Sequence, residues 1–168
     1  MTSVDKAQWV DVYRRLEKPL YNVVYRVIFD AAESQDVVQE AFLRCWRRKE
    51  DIRAEGFKAL LFRTALNLAS NRRRRARIWR MVGIATIDDV ADEGAAHEPI
   101  GASLQAALES LPEALRNVLL LTELAGMTYP EIAAALDIAE GTVGSRRTRA
   151  LALLREQLKI EGVVAHER

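Results

Sequence analysis

Cysteine occurs once in the 168 residues of this chain, as Cys45, and histidine only twice, as His97 and His166. One thiol closes no internal disulfide and builds no cysteine-type zinc site, and its place in an apolar helical pattern predicts a small buried hydrophobe, with a redox sensor as the weaker alternative. No nucleophile-base constellation, glycine-rich phosphate loop or metal-ligand spacing accompanies the histidines, so neither an enzyme nor a cofactor is expected. Glu93, His97 and Glu98 come nearest to a metal cluster, but acids gathered in a flexible stretch seldom hold an ion. No apolar run approaches the ~20 residues that span a bilayer, and the N-terminal MTSVDKAQWV lacks the basic-then-apolar order of a signal peptide. No membrane insertion and a cytoplasmic location are the expectation. Strand signals are nearly absent too, while apolar residues recur at helical spacing over most of the chain, which predicts an all-α fold.

Charge is present in quantity but segregated. The chain totals 25 Lys+Arg against 24 Asp+Glu, a formal net charge of +1. Residues 1–80 hold 18 bases and 10 acids, residues 81–110 hold no Lys or Arg and 6 acids, and residues 111–168 hold 7 bases and 8 acids. The net charges are therefore +8, −6 and −1. Within the first block, NLASNRRRRARIWR (residues 67–80) carries 6 arginines and no acid. A solvated helix face usually interleaves both signs; an unbroken cationic run points to a polyanion partner. Residues 82–103, VGIATIDDVADEGAAHEPIGAS, mix glycine, proline, small residues and acids without periodicity and read as a flexible acidic linker. Two small helical domains follow, residues 1–81 and 104–168, each a compact unit of three or four helices.

The second block carries the sharpest local signals. Ser110-Leu-Pro-Glu113 and Thr128-Tyr-Pro-Glu131 both read as capping boxes, with a hydroxyl for the third helical amide and a glutamate reaching back. One helix then runs through ALRNVLLLTELAG to about Gly126, a second through EIAAALD, and after a tight turn at Asp137-Ile-Ala a third through EGTVGSRRTRALALLREQLK. This is a helix-turn-helix layout. Ile132, Ala133, Leu136, Ile138, Val143 and Leu154 have the spacing of its packed corner. Gly144, Ser145, Thr148 and Arg149 fall largely on the outer face, within reach of base edges or phosphates. A corner of this kind also occurs in proteins that bind no DNA, but about 60 residues with an arginine-rich last helix need little else to form a DNA-binding module.

In the first block, a wheel count at ~100° per residue over DVVQEAFLRCWR places Val37, Val38, Ala41, Phe42 and Cys45 on one apolar stripe, the core face. Leu43 and Trp46 lie nearly opposite, beside Asp36, Gln39 and Glu40. An apolar patch rimmed by polar groups suggests a protein partner; the alternative is that Trp46 covers another helix of the same domain. In the next helix, FKALLFRTALNLASNRRRR, residues Phe57, Leu61, Ala65 and Leu68 pack inward, and Arg63, Asn67, Ser70 and Arg74 line an outer stripe. Amides bond base edges and arginines bind phosphate or guanine, so the stripe resembles a reading surface. Trp79 offers either a stacking group or a core-edge residue.

Taken together, AAESQDVVQEAFLRCWRR, FKALLFRTALNLASNRRRR and LPEALRNVLLLTELAGMTYPEIAAALDIAEGTVGSRRTRAL resemble the extracytoplasmic-function group of the sigma-70 family of bacterial RNA polymerase sigma factors, in its minimal two-domain form. The resemblance implies that residues 1–81 are a region 2 domain and residues 104–168 a region 4 domain. By this resemblance Asp36, Gln39, Glu40, Leu43 and Trp46 would dock on the clamp helices of core RNA polymerase. Arg63, Asn67, Ser70, Asn71, Arg72, Arg73, Arg74, Arg75 and Arg77 would engage the −10 element of promoter DNA, with the loop Lys49 to Gly56 helping to capture a flipped base. Thr142, Gly144, Ser145, Arg146, Thr148 and Arg149 would read the −35 element. The linker would thread polymerase channels, and an anti-sigma factor would hold the protein inactive until a stress or signal releases it.

The chain departs from the family's usual residues at five places. Leu60 replaces a usual Trp, Asn71 a common Asp, and Ala139 lacks a capping hydroxyl. Gly144 replaces a frequent Lys or Arg and costs ~1 kcal/mol of helix stability. Arg147 stands where Leu is common and must snorkel, pair with an acid or contact DNA. The rival function is a stand-alone helix-turn-helix regulator, which leaves the Leu43/Trp46 patch unexplained and lacks an obvious dimerisation helix.

Overall fold

The computed structural model describes residues 6–48, 54–83 and 101–160. Seven helices and no strand occur among them: α1 Lys6–Ile28, α2 Ala31–Arg47, α3 Ala54–Met81, α4 Ala102–Ser110, α5 Glu113–Glu123, α6 Tyr129–Leu136 and α7 Glu140–Ile160. The all-α expectation is met. The chain divides into two compact units, Met1–Ala95 and Ala96–Arg168. Residues 102 and 103 of the stretch expected as linker are already helical, and residues 84–100 lie outside the described residues.

In the first unit α1, α2 and α3 pack pairwise. Leu20, Val23, Val24 and Val27 of α1 meet Val37, Val38, Ala41, Phe42 and Cys45 of α2 and Leu61, Phe62, Ala65, Leu66 and Ala69 of α3 in a fully buried core. The stripes expected on α2 and α3 are the ones buried. The reversal from α1 to α2 is tight. Phe29 takes a left-handed φ of 57°, a conformation with a cost for a residue bearing Cβ, and its amide still bonds the carbonyl of Tyr25 at 2.7 Å. Asp30 then caps α2, its Oδ1 accepting from the Glu33 amide at 2.7 Å, while buried Ser34 donates its hydroxyl back to the Asp30 carbonyl.

In the second unit α7 packs against α4, α5 and α6. The Thr128 capping box forms as expected: the Thr128 amide donates to Glu131 at 2.8 Å, and the Glu131 amide to the Thr128 hydroxyl at 3.4 Å. The box expected at Ser110 does not form. Ser110 is the last residue of α4, its hydroxyl donates to the Ala107 carbonyl at 2.7 Å, and Pro112 caps α5 without a side-chain bond. Leu111 causes the difference: it is buried in the core and precedes a proline, and both conditions hold it extended, at φ −66° and ψ 140°. Gly126 reverses the chain after α5 at φ 58°, and Asp137 does so between α6 and α7 at φ 55°. Of the expected corner residues Ile132 and Val143 are fully buried and Ala133, Leu136, Ile138 and Leu154 half-buried; Ala135 and Ala150, buried as well, were missing from that set.

Candidate nucleic-acid and protein interfaces

On α2 the outward residues separate into two groups. Leu43 stands 55 % exposed, with Asp36 and Gln39 exposed beside it. Trp46 is half-buried because its ring lies 4.8 Å from that of Trp9 on α1, in a cluster where Trp9 also meets Phe42 at 6.1 Å and Phe57 at 4.9 Å. The apolar pair expected to protrude together is thus one protruding leucine and one tryptophan turned against its own domain.

The acids of α2 and the first arginine of the cationic run close on one another. Arg72 donates to Glu33, reaches Glu40 at 3.3 Å and lies 3.9 Å from Asp36. The hydrogen bond to Glu33 holds the Arg72 guanidinium above its ordinary pKa, against the opposing effect of burial. Arg72 therefore points to α2 and away from the reading stripe. On a wheel it continues the buried series Leu61, Ala65 and Leu68 at i+4, i+7 and i+11. Glu40 also pairs with Arg44 at 2.6 Å.

The rest of the α3 run faces outward. Asn67, Asn71, Arg74, Arg75 and Arg77 are exposed, and Arg63, Ser70 and Arg73 half-buried. Trp79 is 48 % exposed, at i+18 from Leu61 and so on the line of the core stripe, among residues 74–83 that are all exposed. Between α2 and α3 lies an open groove of about 460 Å³, lined by Arg44, Arg47 and Arg48 on one side and by Leu60, Asn67 and Asn71 on the other. Two of the departures from family usage, Leu60 and Asn71, thus share one groove. Its three arginines went unassigned in the sequence, although Arg47 and Arg48 adjoin in it. Cys45 also lines the groove; burial pushes its thiol above the ordinary pKa, and its Sγ lies 3.9 Å from the Thr64 hydroxyl. The loop expected to take a flipped base lies largely outside the described residues.

On α7, Ser145, Thr148 and Arg149 are exposed, and Thr142 and Arg146 half-buried. The Ser145 hydroxyl donates to the Thr142 carbonyl at 3.1 Å and that of Thr148 to the Gly144 carbonyl at 3.1 Å, which leaves both oxygens turned outward as acceptors. Gly144 is only half-exposed: a Cβ built on it would lie 3.4 Å from Cε2 of the Tyr129 ring, so Tyr129 covers the place a side chain would take. Of the three fates open to Arg147, the structure selects pairing: Nη2 lies 2.7 Å and Nε 2.8 Å from Oε1 of Glu123 on α5. That contact raises the Arg147 pKa, with a smaller contribution from Tyr129. Among the described residues no group of three or more His, Cys, Asp or Glu is placed to hold a metal, and no helix is long and apolar enough to cross a membrane. Glu93, His97 and Glu98 lie outside the described residues.

A helix ending in an acid-free arginine run on one unit and a capped helix-turn-helix on the other define a DNA-binding protein of two helical modules. Models of sigma-70 region 2 and sigma-70 region 4 match residues 12–78 and 101–154. The ECF RNA polymerase sigma factor SigL of Mycobacterium tuberculosis is 36 % identical over 151 residues, 86 % of this chain and 85 % of that protein. The ECF RNA polymerase sigma factor SigE of Mycolicibacterium smegmatis is 34 % identical over 158 residues, 89 % of this chain but 61 % of the longer relative. Among solved structures, the sigma factor RpoE of Bartonella quintana, crystallised with the anti-sigma factor NepR, aligns with a TM-score of 0.70 at 25 % identity, covering 90 % of this chain and 96 % of that one. CnrH in complex with the cytosolic domain of CnrY shares the fold, with a TM-score of 0.71 over 93 % of this chain and 90 % of that one, at 24 % identity. The chain belongs to the extracytoplasmic-function group of the sigma-70 family of RNA polymerase sigma factors.

Proposed function

We propose that this protein binds core RNA polymerase and directs promoter recognition and DNA opening at the start of transcription, for a regulon tied to a stress or signal. The observation that carries this reading is the pairing of two outward surfaces on one chain, the cationic stripe of α3 and the polar face of α7. The α3 stripe engages the −10 element through Asn67, Asn71, Arg74, Arg75 and Arg77, with phosphate contacts holding the strand and amides meeting base edges. The α7 face engages the −35 element through Ser145, Arg146 and Arg149. Leu43, with Asp36 and Gln39 around it, docks on the polymerase, and Trp46 supports that face from behind. The protein performs no chemistry of its own and works in the cytoplasm; the polymerase supplies catalysis. An external anti-sigma protein is its inhibitor, by analogy with the complex of the Bartonella relative.

Run-off transcription with sigma-free core polymerase on a library of promoter fragments tests the proposal. Defined starts preceded by shared −35 and −10 elements support it. Absence of initiation together with absence of core binding would favour the stand-alone regulator.

A further inference from the structure

The outward stripe of α3 does not stop where its polar residues stop. Counted at ~100° per residue from Arg74, the side chains of Arg63, Asn67 and Ser70 lie within about 40°, and so do Ile78 and Met81 on the next two turns, with Val82 at about 80°. One face of one helix thus changes from polar to apolar along its length. Ile78 is 54 % exposed, Met81 78 % and Val82 66 %, and every residue from Arg74 to Gly83 is exposed. Between Phe57 and Leu68, by contrast, every phenylalanine and leucine of α3 except the groove residue Leu60 is buried. The apolar end is therefore not a core face of its own unit.

Charge identifies what covers it. Arg77 lies about 60° to one side of Arg74 and Arg75 about 100° to the other, so cations flank the apolar strip on both edges, and no acid occurs from residue 72 to residue 80. Trp79 stands about 100° from Ile78, beside Arg75 and off the strip. Exposed arginines at both margins suit two phosphate paths, and what lies between phosphate paths is the base stack. Many DNA-binding proteins that unstack bases do so with isoleucine, methionine, leucine or phenylalanine wedges, alongside arginines and lysines that contact the groove. We propose that Ile78 and Met81 form an apolar wedge that enters the base stack of promoter DNA at the boundary of the opened strands, between phosphates held by Arg75 and Arg77. This rests on the reading of the chain as a sigma factor, and it supplies a means of strand separation to a protein whose aromatics are few and, in the first unit, mostly committed to internal packing.

The test compares two templates. Core polymerase with the wild-type factor or with the Ile78→Ser/Met81→Ser variant is placed on one selected promoter as full duplex, and on the same promoter with a mismatched, already open −10 region. Open complexes are read by permanganate reactivity and run-off yield. The wedge predicts a loss of roughly tenfold or more on the duplex, near-wild-type yield on the open template, and recovery on the duplex with Ile78→Leu/Met81→Leu. Both side chains are exposed, so an unchanged melting temperature is expected of the variants. Equal loss on both templates would assign the strip to polymerase or another protein and overturn the wedge, as would no loss on either. If the wild-type factor starts no transcript on either template, the sigma reading itself fails and the wedge with it.

Discussion

Leu43 and Trp46 show how one residue's environment decides its role. Both are large, apolar and three positions apart on α2, yet Leu43 projects into solvent while the Trp46 ring rests on Trp9. Leu43→Ala is therefore expected to weaken binding of core polymerase with little change in melting temperature. Trp46→Ala is expected to cost about 2 kcal/mol or more of stability in the first unit, whatever it does to binding. Calorimetry beside a polymerase pull-down separates the two; a Trp46→Ala protein of unchanged stability would return the ring to the interface. Cys45 gives a second residue-scale expectation. Burial raises its thiol pKa, so the folded protein keeps the proton at pH values where the unfolded chain releases it. The sign follows directly: stability falls as pH rises above about 8.5, the ordinary thiol value. Denaturant midpoints measured from pH 7 to 10 should show a decline that is smaller in Cys45→Ala, and the native thiol should react slowly with a thiol reagent at pH 7.

At the scale of elements, two near-identical motifs had different fates. Thr128-Tyr-Pro-Glu and Ser110-Leu-Pro-Glu share hydroxyl, proline and glutamate, but only the first caps a helix. Thr128→Ala should cost about 1 kcal/mol, a fall of roughly 4–8 °C in the melting temperature of a unit this size, and Ser110→Ala a small fraction of that. Equal losses would show that the Ser110 hydroxyl matters as much on the Ala107 carbonyl as Thr128 does at its cap. The difference was not legible in the motif, because it depends on Leu111 being drawn into the core, which is a tertiary fact. The helices were legible wherever an apolar stripe and a punctuating residue agreed: Val37, Val38, Ala41, Phe42 and Cys45 on α2, and Asp137 between α6 and α7. Arg72 was not. In sequence it is one of four consecutive arginines, and only the antiparallel approach of α2 brings Glu33, Asp36 and Glu40 to it. The same approach brings Arg44, Arg47 and Arg48 across from Leu60 and Asn71, two positions at i and i+11 on one face of α3 that a wheel count already connects but whose opposite wall it cannot supply.

For the whole molecule, the informative quantity is the arrangement of charge, since a net of +1 by itself predicts almost no attraction to DNA. Segregation reverses that expectation: the first 80 residues alone carry +8, and the run from residue 72 to residue 80 holds no acid. Part of this charge is balanced internally at the start of the run. Arg72 is held by three acids of α2, whereas Arg74, Arg75 and Arg77 stand exposed on the turns beyond. Each arginine that meets a phosphate displaces counterion and steepens the fall of affinity with salt by about 0.7 log units per log unit on single-stranded DNA and about 0.9 on duplex. Binding of holoenzyme to a promoter, followed across a salt series, should therefore lose roughly 2–3 units of slope in the Arg74→Ala/Arg75→Ala/Arg77→Ala protein. Arg72→Ala should change the slope by less than one such contact and show its effect as lower stability, by about 1 kcal/mol, because its partners are carboxylates on a partly exposed surface. If instead Arg72→Ala flattened the salt dependence as much as Arg74→Ala, the arginine would have to leave α2 for phosphate when DNA binds. The three acids would then be a place of storage for that cation, not its destination.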